Sequence, residues 1–244
     1  MRINIFKTSD EMGKDAASFI AAKLNAAIAA KGEARLLLST GASQFEMFQN
    51  IVNENVDWSK VTMFHLDEYV GLPETHIASF RKYLKERFTS KVNLKAAYFV
   101  NGEGDVAANI AETTAKLREA PIDVGVIGIG ENAHIAFNDP PANFETKEAY
   151  IVVDLDERCR LQQVGEGWFG SLEEVPPQAI SMTVYQMMQS ECIVTIVPHD
   201  VKAEAIKNTL AQDVNNLVPA TMLKTHKDWN LYIDSDSAAG FLKY

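Results

Sequence analysis

Residues 123–140 read DVGVIGIGENAHIAFNDP. An apolar run ends in two spaced glycines, Gly128 and Gly130, and the polar side chains Asn132, His134 and Asp139 follow directly. A short apolar run bounded by glycine has the make-up of a buried strand. A polar loop just beyond its carboxyl end is where open parallel sheets bind ligands. Working outward, runs of the same kind recur: RINIF (2–6), ARLLLS (34–39), VTMFHL (61–66), AAYFV (96–100), AYIVVDL (149–155), CIVTIV (192–197) and WNLYI (229–233). Segments with helical spacing lie between them, among them MGKDAASFIAAKLNAAIAA, which Ser9 is placed to cap, SQFEMFQNIV and VKAEAIKNTL. This alternation predicts an α/β fold, a doubly wound and mostly parallel sheet in a Rossmann-like three-layer sandwich, with residues 1–244 as a single domain.

Composition narrows the function. The 244 residues carry a formal net charge of −10, which argues against a nucleic-acid surface, since phosphate contacts along a duplex need clustered Lys and Arg. No segment approaches the roughly 18 apolar residues that span a bilayer, and the N-terminus reaches Ser9, Asp10 and Glu11 too soon for a secretory leader. Two cysteines, Cys159 and Cys192, lack metal-ligand spacing and fit a reducing cytoplasm. The expectation is a soluble cytoplasmic protein with a small-molecule ligand; a homo-oligomer is left open.

Three segments carry candidate chemistry. In LLLSTGASQFEMF (36–48) a strand ends and Thr40, Gly41, Ala42 and Ser43 make a small-residue turn before a helix. Backbone N–H groups there suit a phosphate, although Ser43 also reads as a plain helix cap. In VTMFHLDEYVGLP (61–73) strand alternation puts Asp67 and Glu68 on opposite sides and His65 on the side of Asp67, so one carboxylate of the pair faces a site. With apolar neighbours raising its pKa, such an Asp is a candidate general base; the plain alternative is a loop cap. In the opening stretch, an imidazole near a carboxylate can shuttle protons near neutral pH. His65, Asp67, His134 and Asp139 can in principle offer metal ligands, but without HExxH or paired cysteines no metal is expected. GIGENA lacks the third glycine of a dinucleotide fingerprint, so no cofactor is expected either. The irregular stretch RLQQVGEGWFGSLEEVPPQ (160–178) is long enough for a lid or site-lining loop.

Taken together, STGAS, LDEYVGLPETHIASF and GIGENAHIAFNDP, in this order and spacing, resemble the glucosamine-6-phosphate deaminase (isomerase) family, whose superfamily includes the 6-phosphogluconolactonases. The resemblance covers nearly the whole chain. It implies an enzyme, a hydrolase/isomerase, that converts an amino-sugar phosphate, glucosamine or galactosamine 6-phosphate, into the ketose phosphate and ammonia. Asp67 matches the family's proton-transfer Asp, and His134 its ring-opening histidine, with Asn132 and Asp139 beside it. Thr40, Gly41, Ala42 and Ser43 match the phosphate loop and Lys202 the phosphate-binding lysine; Glu68, Gly130 and Arg158 complete the expected binding set. The chain departs from the pattern at Asn132, where the family has Asp, at Asp139, where it has Glu, and at Gln163, which aligns with a phosphate-contacting arginine, with Arg158 and Arg160 nearby. Two alternatives stay open: a 6-phosphogluconolactonase-type hydrolase, against which Tyr69, Phe137 and Asn138 speak, and a non-catalytic sugar-phosphate-binding protein.

Overall fold

The computed structural model describes residues 1–165 and 167–240, without the side chains of Arg158 and Gln162, so the expectation placed on Arg158 lies outside the described residues. In chain order the elements are β1 (Arg2–Phe6), α1 (Ser9–Lys31), β2 (Ala34–Leu38), α2 (Phe45–Ile51), β3 (Val61–His65), β4 (Asp67–Tyr69), α3 (Phe80–Leu84), β5 (Ala96–Tyr98), α4 (Val106–Leu117) and β6 (Val124–Ile127). They continue with β7 (Tyr150–Asp154), α5 (Glu157–Gly165), β8 (Gln178–Met182), α6 (Val184–Met187), β9 (Cys192–Val197), α7 (Ala203–Ala211) and β10 (Trp229–Asp234). No helix among the described residues is long and apolar enough to cross a membrane.

Seven strands form one sheet in the order β1-β10-β9-β6-β2-β3-β5, and every pair in it is parallel. The central strands β2, β6, β9 and β10 are buried along their whole length, which is why they read as unbroken apolar runs. Pleating divides their side chains between two cores. Leu36, Leu38, Val124, Val126, Val194 and Ile196 face α1 and α2, whereas Leu37, Ile193, Val197, Leu231 and Ile233 face the opposite helical layer. The expected three-layer α/β sandwich is therefore present. From β2 the chain moves outward to β3 and β5, then returns with β6 on the other side of β2. That reversal opens a crevice beyond the carboxyl ends of β2 and β6, where the Thr40–Ser43 turn and the Gly128–His134 segment lie.

The fold differs from the sequence reading in several places, among them that the irregular stretch 160–178 begins inside α5 and ends in β8. The cap of α1 is Thr8, not Ser9: its hydroxyl accepts from the Glu11 N–H at 3.2 Å. AYIVVDL leaves the main sheet and forms β7 of a second, antiparallel sheet in the order β4-β8-β7. Its burial alternates, with Val152 exposed, as suits a sheet with one wet face.

Helix α1 packs tightly on α2 at Gly13, where an added Cβ would meet Glu46 Cβ at 2.4 Å and the Met47 nitrogen at 2.8 Å. Gly13→Ala is expected to destabilise the fold by about 1–3 kcal/mol through overpacking, read as a lowered urea midpoint with an unchanged slope.

Candidate active site

The site is built on one residue, Leu66, through which the chain passes from one sheet to the other. Its N–H donates to Leu38 O at 3.2 Å on the main sheet, and its C=O accepts from Met182 N at 2.9 Å on the second. The strand therefore breaks between His65 and Asp67, and simple alternation across the two no longer holds. Asp67 lines a cavity of about 570 Å³ at the strand ends. His65, expected to share its side, is instead fully buried, its ring edge-on to Phe80 and Phe99 and both ring nitrogens without hydrogen-bond partners among the described residues. Burial, aided by the Arg81 charge, pushes the His65 pKa down to about 3, so the imidazole is neutral.

The two adjacent carboxylates have separate fates, as alternation predicts for that pair. Glu68 is wholly buried and accepts from Ser79 Oγ at 2.9 Å, Phe80 N at 3.2 Å, Arg81 N at 3.0 Å and Arg81 Nε at 3.2 Å, capping α3. It does not line the cavity, which corrects the expectation of a substrate contact. The Asp67 carboxyl has no hydrogen-bond donor among the described residues. Burial, reinforced by the Glu68 charge, raises its pKa to about 8.

His134 stands opposite in the fold, beyond β6. Its backbone N–H donates to Asn132 Oδ1 at 3.1 Å, which fixes the amide: oxygen towards His134, Nδ2 towards Asp139 Oδ1 at 2.9 Å. His134 Nδ1 lies 2.6 Å from that amide oxygen and 3.1 Å from Asp139 Oδ1. Both are acceptors, so Nδ1 carries a hydrogen, and in the neutral tautomer this selects Nε2 is the nitrogen with the lone pair. Burial works against ionisation of Asp139, but the hydrogen bonds from His134 and Asn132 outweigh it and hold the carboxyl below its ordinary pKa. Gly130 has a role that sequence reasoning missed. A Cβ there would stand 2.2 Å from His134 Cε1 and 2.3 Å from Nε2, so the imidazole lies in the space a side chain would fill. Gly130 borders the cavity as expected, and it is also the seat of the imidazole.

Thr40, Gly41, Ala42 and Ser43 line the same cavity, as does Lys202. Gly41, at φ 102°, makes the turn, and Tyr83 Oη donates to its carbonyl at 2.8 Å. Gln163 and Trp168 bring the 160–178 segment to the wall, where Tyr69 Oη donates to Gln163 Oε1 at 2.9 Å. Arg160 does not reach the cavity; its Nη2 donates to Leu172 O at 2.5 Å and Val175 O at 3.1 Å, holding its own segment together. Also missed were Tyr83, the aromatic wall of Phe45 and Phe80, and His199. The signal that would have found His199 is its place just past a strand end, where β9 stops at Val197.

Known proteins share this arrangement of chain. A glucosamine-6-phosphate deaminase of Clostridium acetobutylicum is 35% identical over 246 residues, covering 98% of this chain and 99% of that one. One of Streptococcus sanguinis is 33% identical over 245 residues, covering all of both. The structure of a monomeric glucosamine-6-phosphate deaminase superposes with a TM-score of 0.88 at 27% identity, over 98% of this chain and 100% of that one. A 6-phosphogluconolactonase from Trypanosoma brucei superposes with a TM-score of 0.79 at 14% identity, over 98% of each chain, and so shares the fold. The profile of the family described as glucosamine-6-phosphate isomerases/6-phosphogluconolactonase matches residues 7–232, and the chain belongs to that family.

Proposed function

We propose that this protein is an amino-sugar-phosphate deaminase/isomerase acting in the cytoplasm on glucosamine 6-phosphate or its C4 epimer, without metal or cofactor. One observation carries the reading. Asp67, a buried carboxyl without a donor among the described residues, and His134, an imidazole held in its Nδ1–H tautomer, open on one cavity whose wall also carries a phosphate-type turn. The deaminases that match this chain over nearly its whole length support it.

The chemistry follows from these groups. His134 Nε2 takes the proton of the C1 hydroxyl and a proton passes to the ring oxygen as the C1–O5 bond breaks, leaving an open aldehyde. Asp67 removes the C2 proton while O1 gains one, giving an enaminol. Asp67 then delivers its proton to C1 and the nitrogen gives one up, leaving an imine at C2. Water adds to that imine, ammonia departs, and the ketose phosphate remains. Asn132 and Asp139 act on His134, orienting the ring and stabilising its protonated form. The two cysteines are buried and form no disulfide among the described residues, which suits a reducing compartment.

The direct test is ammonia and ketose-phosphate release from glucosamine and galactosamine 6-phosphate, with 6-phosphogluconolactone as the control substrate; hydrolysis of the lactone without deamination sinks the reading. Asp67→Asn is expected to lower kcat at least 10³-fold. Because a raised folded pKa withdraws stability as pH rises from about 4 through 8, the same variant should melt above the parent at pH 9. Since the base must be ionised, kcat/KM of the parent should climb as pH rises through about 8. Gly130→Ala should displace the His134 ring and cost on the order of 10²-fold in kcat, with circular dichroism unchanged.

A further inference from the structure

His199 has a backbone conformation rare for a residue with a side chain. It sits at φ 75° and ψ 152°, a region that is essentially glycine's and is strained for any side chain. Its backbone is pinned there because its N–H donates to both carboxylate oxygens of Asp234, at 3.1 and 3.0 Å. Asp234 is buried at the end of β10 and is itself fixed by the Ser237 N–H at 2.8 Å. The imidazole is not committed to that carboxylate. Nδ1 lies 4.0 Å from Asp234 Oδ2, beyond hydrogen-bond reach, and the half-exposed ring lines the cavity.

The neighbours of the ring point to what it meets. Gln44 Nε2 donates to Ile196 O at 3.3 Å, so the turn that follows Thr40–Ser43 rides against the end of β9 and brings His199 to the same part of the wall. The Lys202 N–H donates to His199 O at 3.1 Å, fixing the two residues in one turn. Among the described residues lining the cavity, Lys202 is the one side chain with a permanent positive charge. A phosphate monoester carries close to two negative charges and offers three strong acceptor oxygens. We infer that His199 is a second side-chain ligand of the substrate phosphate: an imidazole N–H donates to a phosphate oxygen beside Lys202, and the strained backbone aims it there. The inference deepens the sugar-phosphate reading above and rests on it for the rest of the ligand.

The test uses two variants of the full chain. H199A keeps a Cβ in the strained backbone and removes the ring; H199G removes both. Thermal midpoints without ligand, Kd for inorganic phosphate, and KM and kcat for ammonia release from glucosamine 6-phosphate are compared. The expected result is an H199G midpoint at or above the parent's, showing an intact fold, while in both variants KM and the phosphate Kd rise about tenfold and kcat stays within about twofold. Unchanged KM and phosphate Kd in both variants overturn the inference, as does a parent chain that binds neither phosphate nor the sugar phosphate. A parent that binds phosphate but releases no ammonia defeats the deaminase reading alone, and a tenfold loss of phosphate affinity in the variants then still sustains the role of His199.

Discussion

The arrangement of the site depends on the two hydrogen bonds of Leu66, one to each sheet. A strand that stayed in the main sheet would turn every second side chain from His65 onward to the same face. Instead the N–H of Leu66 closes one ladder and its C=O opens another, so that Asp67 begins a new strand paired with Ser181. Asp67 is thereby held by backbone pairing while its carboxyl faces the cavity. Rigid strands position reactive groups better than loops do, because a loop must lose more conformational freedom before it holds a fixed geometry. The adjacent Glu68, bonded to the start of α3, ties the loop that follows β4 to the same frame.

The distribution of charge around this frame explains how an acidic chain can suit an anionic ligand. The net charge of −10 is a sum over the whole chain, and its effect at a distance is screened by salt over about 10 Å. What the cavity offers an anion is local: its lining includes a small-residue turn, Lys202 and His199. Asp67, which lines the same cavity, is biased towards its neutral form by burial, so it opposes an incoming anion less than an ionised carboxylate would.

The parts of the fold most legible in the sequence were those governed by uniform burial. Strands β2, β6, β9 and β10 are covered on both faces, and a continuous apolar run is the direct mark of that. Strands β4 and β8 were not legible. The first is three residues long with two acids among them, and the second follows Pro176 and Pro177 at the end of an irregular segment. Both exist because they pair with each other, a long-range fact that no local pattern carries. The same limit applies within the site. Asp67, His134 and the Thr40–Ser43 turn were readable because each lies at a strand end. The inward turn of Glu68 towards Arg81, and the packing of the imidazole on Gly130, are set by residues far away or by the absence of a side chain.

Asn132 and Asp139, the two positions at which the sequence reading placed a departure in the histidine segment, are bonded to each other. Asn132 donates through Nδ2 to Asp139 and accepts through Oδ1 from His134, so it needs both ends of an amide. An aspartate at position 132 would set a second carboxylate oxygen about where Nδ2 now stands, 2.9 Å from Asp139 Oδ1, and the two anions would repel. The amide removes that conflict and lets the shorter Asp139 arm sit 3.1 Å from the ring nitrogen. His134 thus keeps one full negative charge and one dipole as neighbours. Both accept towards Nδ1 and so fix the tautomer, and in the proposed mechanism they stabilise the imidazolium formed in passing.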